Sequence, residues 1–319
     1  MMRTLSIIGL LALATSLAQA AEKSGGQGKL YSTSWFGDVI SVVDVGKRKV
    51  TGAIPVGVQN HNVALNPSQT QAWVTNNNAG TVSVIDAATD KVIETISVGV
   101  GPRHTMFSSD GLEAYVTNEF DDAVSVIDPA ARQVIAKIDV GRMPHFALPV
   151  GDLLFVTNYG ARNVSVVRRA TRKVESVIPV GAGPLGAGAT KDGVRVYIAC
   201  HNANAVAVID AKELKVIAEI PTEPGPVQVT VAPDQKFAYV ASDGKGTVQK
   251  IDLATNKIVT TIRVAPDAGS HGVSFGGDGK LFITNTGANT ISIIDTATDK
   301  IVGTVKVATA PEGIAFKRP

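Results

Sequence analysis

Apolar and polar residues alternate along most of the chain in short runs, punctuated by Gly, Asn, Asp and Thr. Thr81–Asp86 reads Thr-Val-Ser-Val-Ile-Asp, with Val82 and Val84 on one face and Ser83 and Ile85 on the other. A period of two over six residues predicts a strand. Residues 72–76 before it are β-formers that end in the turn signal Asn76-Asn77-Asn78-Ala79-Gly80. Residues 91–96 after it are amphipathic, as an outer edge strand should be. Gly99, Gly101 and Pro102 then turn the chain back, and residues 103–108 make a further strand that lines the axis of the next unit.

This pattern recurs seven times. Its aromatic anchors are Tyr31, Trp73, Tyr115, Phe155, Tyr197, Tyr239 and Phe282, at successive spacings of 42, 42, 40, 42, 42 and 43 residues. A fixed period near forty, all of it strand-like, predicts an all-β, seven-bladed β-propeller with four-stranded antiparallel blades. The first repeat begins at Leu30 without an inner strand, and residues 312–317 form an inner strand with no blade after it. The N- and C-terminal segments should therefore complete one blade together and close the ring.

Outside residues 30–319 the pattern changes. Residues 1–20 combine Arg3, an apolar run over 5–17 and Ala18-Gln19-Ala20, which reads as a cleaved signal peptide. Residues 21–29 are polar and glycine-rich, a flexible lead-in. The expectation is an exported, periplasmic monomer with no membrane insertion, since the apolar run is too short to span a bilayer. A net charge of +2 without a basic stripe, and 5% aromatics without a stacking ladder, argue against nucleic acid as a partner. The one cysteine, Cys200, excludes an internal disulfide.

Two local motifs are decoys. Gly181-Ala182-Gly183-Pro184-Leu185-Gly186 matches a dinucleotide-binding pattern but leads into a strand instead of a helix. Gly272-Val273-Ser274-Phe275-Gly276 matches a nucleophile elbow but falls within an inner strand.

The histidines carry the chemistry. Aligned on the repeat, His61, His104, His145 and His271 all fall at the start of an inner strand, within one residue of one another. Random placement of five histidines predicts about 0.2 there, so four demand a reason. The matching position in the ring-closing blade holds Glu312. Arg103 precedes His104, and Cys200-His201 stands in place of the usual Thr-Asn end of a second strand. Loops at both positions share one face, so Cys200 and all five histidines are expected to crowd one mouth of the axial channel. Trp35, Phe36, Phe120 and Tyr159 occupy loops on the same rim and, with Arg103, form a candidate cofactor-binding wall. Imidazole and thiolate suit copper and zinc, and imidazole also suits haem iron.

The segments Trp73-Val74-Thr75-Asn76, Tyr115-Val116-Thr117-Asn118, Phe155-Val156-Thr157-Asn158 and Phe282-Ile283-Thr284-Asn285 resemble the YVTN-type propeller repeat family, across residues 30–319. Similar propellers include the haem domain of denitrifying nitrite reductase and the copper-cluster domain of nitrous oxide reductase, both with histidines at one end of the axis. This chain has too few histidines for the latter's cluster and no Cys-x-x-Cys-His for covalent haem. The resemblance extends to propeller lactonases and streptogramin lyases, which hold a divalent ion at the channel mouth. It implies the fold and leaves the activity open.

The expectation is a periplasmic binding or accessory protein. It would hold a transition metal (copper or zinc), a haem-like or other small-molecule ligand, or a periplasmic partner protein on this face. The alternatives are a metal-assisted lyase or lactonase, with His104, His145 or His271 as base and Glu312 as ligand or acid, and a metal-free interaction scaffold.

Overall fold

The computed structural model describes residues 28–266 and 268–319. The expected signal peptide and most of the lead-in lie outside the described residues. Strands dominate the rest and form seven four-stranded antiparallel sheets. The Thr81–Asp86 alternation is a strand, flanked by Gln71–Asn76 and Lys91–Ser97 in one blade. Ring closure is as the repeat implied: Lys29–Ser32 pairs with Ile314–Lys317 in antiparallel register, Tyr31 opposite Ala315. Both decoy motifs run into propeller strands, Pro184–Ala189 and Ser270–Phe275.

The seven anchors explain the period. Each is at most 1% exposed. Trp73, for example, packs with Val82 and Val84 of its own blade and Ala114, Val116 and Ile127 of the next. Burying one such aromatic contributes about 2–3 kcal/mol, and the repeat places one at every blade junction. Where the anchor is Tyr its hydroxyl needs a partner. Tyr31 donates to Asp90 Oδ1 at 2.5 Å, and Tyr197 donates to Asn256 Oδ1 at 3.1 Å.

The Asn that ends the second strand clamps its own blade. Asn76 Nδ2 donates to Ser83 Oγ at 2.9 Å, and Asn118–Ser125, Asn158–Ser165 and Asn285–Ser292 repeat the bond at the same length. These side chains are fully buried, so their role is packing and hydrogen bonding.

One irregularity positions everything that follows. Six of the seven inner strands open with a β-bulge, in which two residues oppose a single residue of the second strand. His61 and Asn62 lie between the pairs Asn60–Asn76 and Val63–Val74, opposite Thr75. Arg103 and His104 lie likewise opposite Thr117, and His271 and Gly272 opposite Thr284. In the fourth blade the extra residue is His145, between Pro144 and Phe146.

Candidate functional site

A β-bulge interrupts the two-residue alternation and redirects the side chains beside it. Here it gathers imidazoles instead of dispersing them. The ring centroid of His61 lies 4.8 Å from His104, 5.4 Å from His145 and 5.8 Å from His271. His104 and His145 are 4.7 Å apart. Four imidazoles from four blades thus form one cluster centred on His61. Glu312 completes it from the ring-closing blade, its Oε2 3.5 Å from His61 Nε2. Ligand atoms of His61, His271 and Glu312 all lie within 4.8 Å of one another.

The threonines of the repeat hold this arrangement. Thr75 Oγ1 accepts from the Asn62 amide at 3.0 Å and donates to the Arg103 carbonyl at 2.7 Å, across a blade boundary. Thr117 accepts from the His104 amide at 3.1 Å and donates to the His145 carbonyl at 2.8 Å. Thr157 bonds the Phe146 amide and the Leu185 carbonyl in the same way. Thr284 links Gly272 to Glu312, and Thr33 links Gly313 to His61. The relay covers five junctions. In the two remaining blades the threonine position holds Ala199 and Ala241, and no histidine opens their inner strands.

The same carbonyls orient the rings. His61 Nδ1 is 3.0 Å from the Arg103 carbonyl, and His104 Nδ1 is 3.0 Å from the His145 carbonyl. A carbonyl only accepts, so each Nδ1 carries the proton and each Nε2 keeps its lone pair. That tautomer is the one a metal ligand requires.

Burial keeps the cluster uncharged. His61 is 2% exposed, and burial together with the neighbouring imidazoles and Arg103 holds its pKa far below the usual value. His145 is depressed for the same reasons. Burial lowers His104 to about 3 and His271 to about 4. It raises the Glu312 carboxyl to about 8, against the weaker pull of Arg103. Glu312 Oε2 and His145 Nδ1 are buried without a hydrogen-bond partner. Neutral nitrogen bases thus surround a carboxyl that burial keeps protonated, a donor set that becomes anionic when Glu312 gives up its proton.

Arg103 is outside this layer. Its guanidinium pairs with Glu119 and lies 5.1 Å over the Trp35 ring, which itself meets His61 edge-on at 5.5 Å. Trp35 and Arg103 therefore cover the cluster. Phe36 and Phe120 are 76% and 64% exposed, and Phe120 lies against Gly101. Tyr159 accepts from Asn202 Nδ2 at 3.3 Å. Of the four expected wall aromatics, Trp35 is the one in ring contact with the histidines.

Two expected members stay out of the ring contacts: Cys200 is in the core, and His201 lies beside the cluster, where its charge acts on His145 and His271. Pro184 pairs with Cys200 as Pro102 pairs with Asn118, so Ala199-Cys200 occupies the Thr-Asn position and His201 falls one residue beyond it. A one-residue shift in a strand reverses the facing of a side chain. Cys200 takes the place of the clamping Asn, 1% exposed in an apolar cluster with Phe146, Ile198 and Ala207. Burial pushes its thiol up to about 11. His201 begins a short 3-10 turn, and its Nε2 is 3.1 Å from Asp243 Oδ2. The carboxylate raises the His201 pKa. Asp243 and the Thr relay carried no chemical signal in the sequence, since each reads as ordinary loop or strand composition.

Residues 36–152 and 151–275 match the family model of YNCE-like β-propellers. Among solved structures, a functionally unknown protein from Desulfotomaculum acetoxidans superposes with a TM-score of 0.80 at 15% identity, covering 92% of this chain and 99% of that one. Kuenenia stuttgartiensis hydrazine synthase gives 0.74 at 20% identity, over 80% and 89% of the two chains. The dihydro-heme d1 dehydrogenase NirN, in complex with DHE, gives 0.69 at 15% identity, over 90% and 75%. Comparison with curated proteins finds no match.

Proposed function

The chain belongs to the YNCE-like β-propeller family, and we propose that it is a periplasmic binding protein for one transition-metal ion, zinc or copper, at the axial histidine cluster. His61 Nε2, a ring nitrogen of His271 and a Glu312 oxygen are the ligands, with His104 and His145 as adjoining donors. The observation that carries this reading is the convergence of three ligand atoms within 4.8 Å.

Zinc with nitrogen and oxygen ligands places them at about 2 Å, hence about 3.3 Å from each other in a tetrahedron. The His61–Glu312 pair is already at 3.5 Å, so closure takes small side-chain movements. The imidazoles are held neutral, so no proton need leave them when an ion binds. The buried Glu312 carboxyl, raised to about 8, releases its proton as the ion binds. One structural neighbour, a dihydro-heme d1 dehydrogenase, is in complex with DHE; this chain's own donor set favours an ion.

Metal analysis of protein recovered from the periplasmic fraction, followed by titration with zinc and with copper, tests the reading. One ion per chain is expected, with affinity reduced at least about 10–100-fold in His61→Ala and His271→Ala. Retention of one ion by both variants, or no uptake by the wild type, overturns it.

A further inference from the structure

Beneath the histidines the propeller axis holds a cavity of about 510 Å³. His104 and His271 stand at one end of its lining, and Asn66, Pro67 and Gln69 stand at the other, in turns on the opposite face. At the cluster end it is narrowed, with His271 and Glu312 partly exposed. Trp35 and the Arg103–Glu119 pair cover that end, and His61, His104 and His145 are each at most 7% exposed.

The lining is distinctive in composition. It contains no Asp, Glu, Lys or Arg. Leu65, Met106, Phe146, Leu148, Val231 and Phe316 supply apolar surface. Asn62, Gln228 and Thr230 supply hydrogen-bonding groups, and the Thr105 hydroxyl, on the cavity wall, is buried without a partner. The inner strand Pro184–Ala189 reads Pro-Leu-Gly-Ala-Gly-Ala, so past Leu185 it projects nothing larger than a methyl group, and Gly186 and Gly188 let Gln228 and Val229 of the next inner strand pack directly against it. An uncharged chamber of a few hundred cubic ångströms, its apolar and polar surface in equal measure, has the size of a small-molecule site.

We propose that this channel binds a small, uncharged organic molecule, which enters from the face opposite the histidines and reaches His104 and His271 at the narrowed end. A charged molecule would lose its hydration and meet no counter-charge along the wall. The inference rests on the metal reading only for the ion beside the narrowed end, because the chamber is formed by the inner strands themselves. With an ion bound, the molecule would sit against the metal centre.

The chain provides its own reporter. Of its four methionines, Met1 and Met2 precede the fold, Met106 lines the cavity and Met143 lies in a surface turn. In protein labelled with ¹³C at the methionine methyls, p-cresol is expected to shift the Met106 signal saturably at millimolar concentration or below, leaving Met143 unmoved. Benzoate, of similar size but ionised, is expected to bind at least about tenfold more weakly. Thr230→Trp, or Ala64→Trp if the first does not fold, should abolish the p-cresol shift. No saturable Met106 shift, equal binding of benzoate, or an undiminished shift in the folded Trp variant overturns the proposal. Two measurements hold the readings apart: loss of metal in His61→Ala with the p-cresol response intact keeps the chamber, and one bound ion in the wild type with no p-cresol response leaves only the ion site.

Discussion

The Thr117 hydroxyl donates to the main-chain carbonyl of His145 at 2.8 Å, from one blade into the next, while accepting from the amide of His104 at 3.1 Å. One side chain thus fixes the backbone of two cluster histidines. The same carbonyl takes the Nδ1 proton of His104 at 3.0 Å, which sets that ring's tautomer. A residue that looks like ordinary strand composition therefore governs which imidazole nitrogen is free.

Thr117→Val keeps the shape and removes both bonds. The buried His104 amide loses its partner, so stability should fall by about 1–3 kcal/mol in urea unfolding. Thr95→Val, on an exposed outer strand, should change it by less than about 0.5 kcal/mol. Equal, small effects at both positions would remove the relay from the argument.

Glu312→Gln separates binding from folding. Burial raises the carboxyl to about 8, so without an ion it is protonated at pH 7 and an amide is a close substitute. Thermal unfolding of the metal-free variant should match or exceed that of the wild type, with zinc affinity at least about tenfold weaker. A marked loss of stability in the metal-free variant would make Glu312 structural.

Acid should destabilise the metal-free protein. His104 and His271 sit at about 3 and about 4 when folded, below the ordinary value near 6.5. As pH falls through 6.5 the unfolded chain takes up protons that the folded chain refuses, so stability is lost, by up to about 1.4 kcal/mol per unit and histidine. His271 stops contributing below about pH 4 and His104 below about pH 3. His201, raised by Asp243, and Glu312, raised by burial to about 8, have the opposite sign: their contributions are present below the unfolded value and lost as pH rises through the folded one. Urea titrations of chelated protein between pH 5 and 7 should show a net decline toward acid, steeper in Asp243→Asn. A flat profile would contradict the buried, neutral imidazoles.

Cys200 should be inert in the native state. It is 1% exposed, with its thiol raised to about 11. Iodoacetamide at pH 8 should leave the folded protein unmodified and alkylate it fully in denaturant. Cys200→Ala should leave metal stoichiometry unchanged and cost about 1 kcal/mol. Rapid native alkylation would put the thiol at the surface after all.

The blade count, the ring closure and the common level of His61, His104, His145 and His271 were legible because each depends on the repeat alone. Cys200 and His201 were misplaced for a physical reason. Every blade is packed on both faces, so the buried pattern of the second strand, Val196 through Cys200, shows no alternation from which to read direction. A slip of one residue therefore leaves no trace in the pattern, and for Cys200 it exchanges the axis for the core. Of the rim aromatics, nothing local distinguished Trp35, which meets His61, from Phe36 beside it.

The amino-acid order by itself determined a seven-part wheel, since a period fixed by one buried anchor per junction admits no other closure. It also determined that imidazoles would gather at one end of the axis, because strand direction assigns each position to a face. Tertiary structure alone decided which of them meet. Ring contacts between residues as far apart as His61 and His271 depend on bulges, on hydroxyl bonds crossing blade boundaries and on the closeness of opposed strands, and none of these leaves a local mark in the chain.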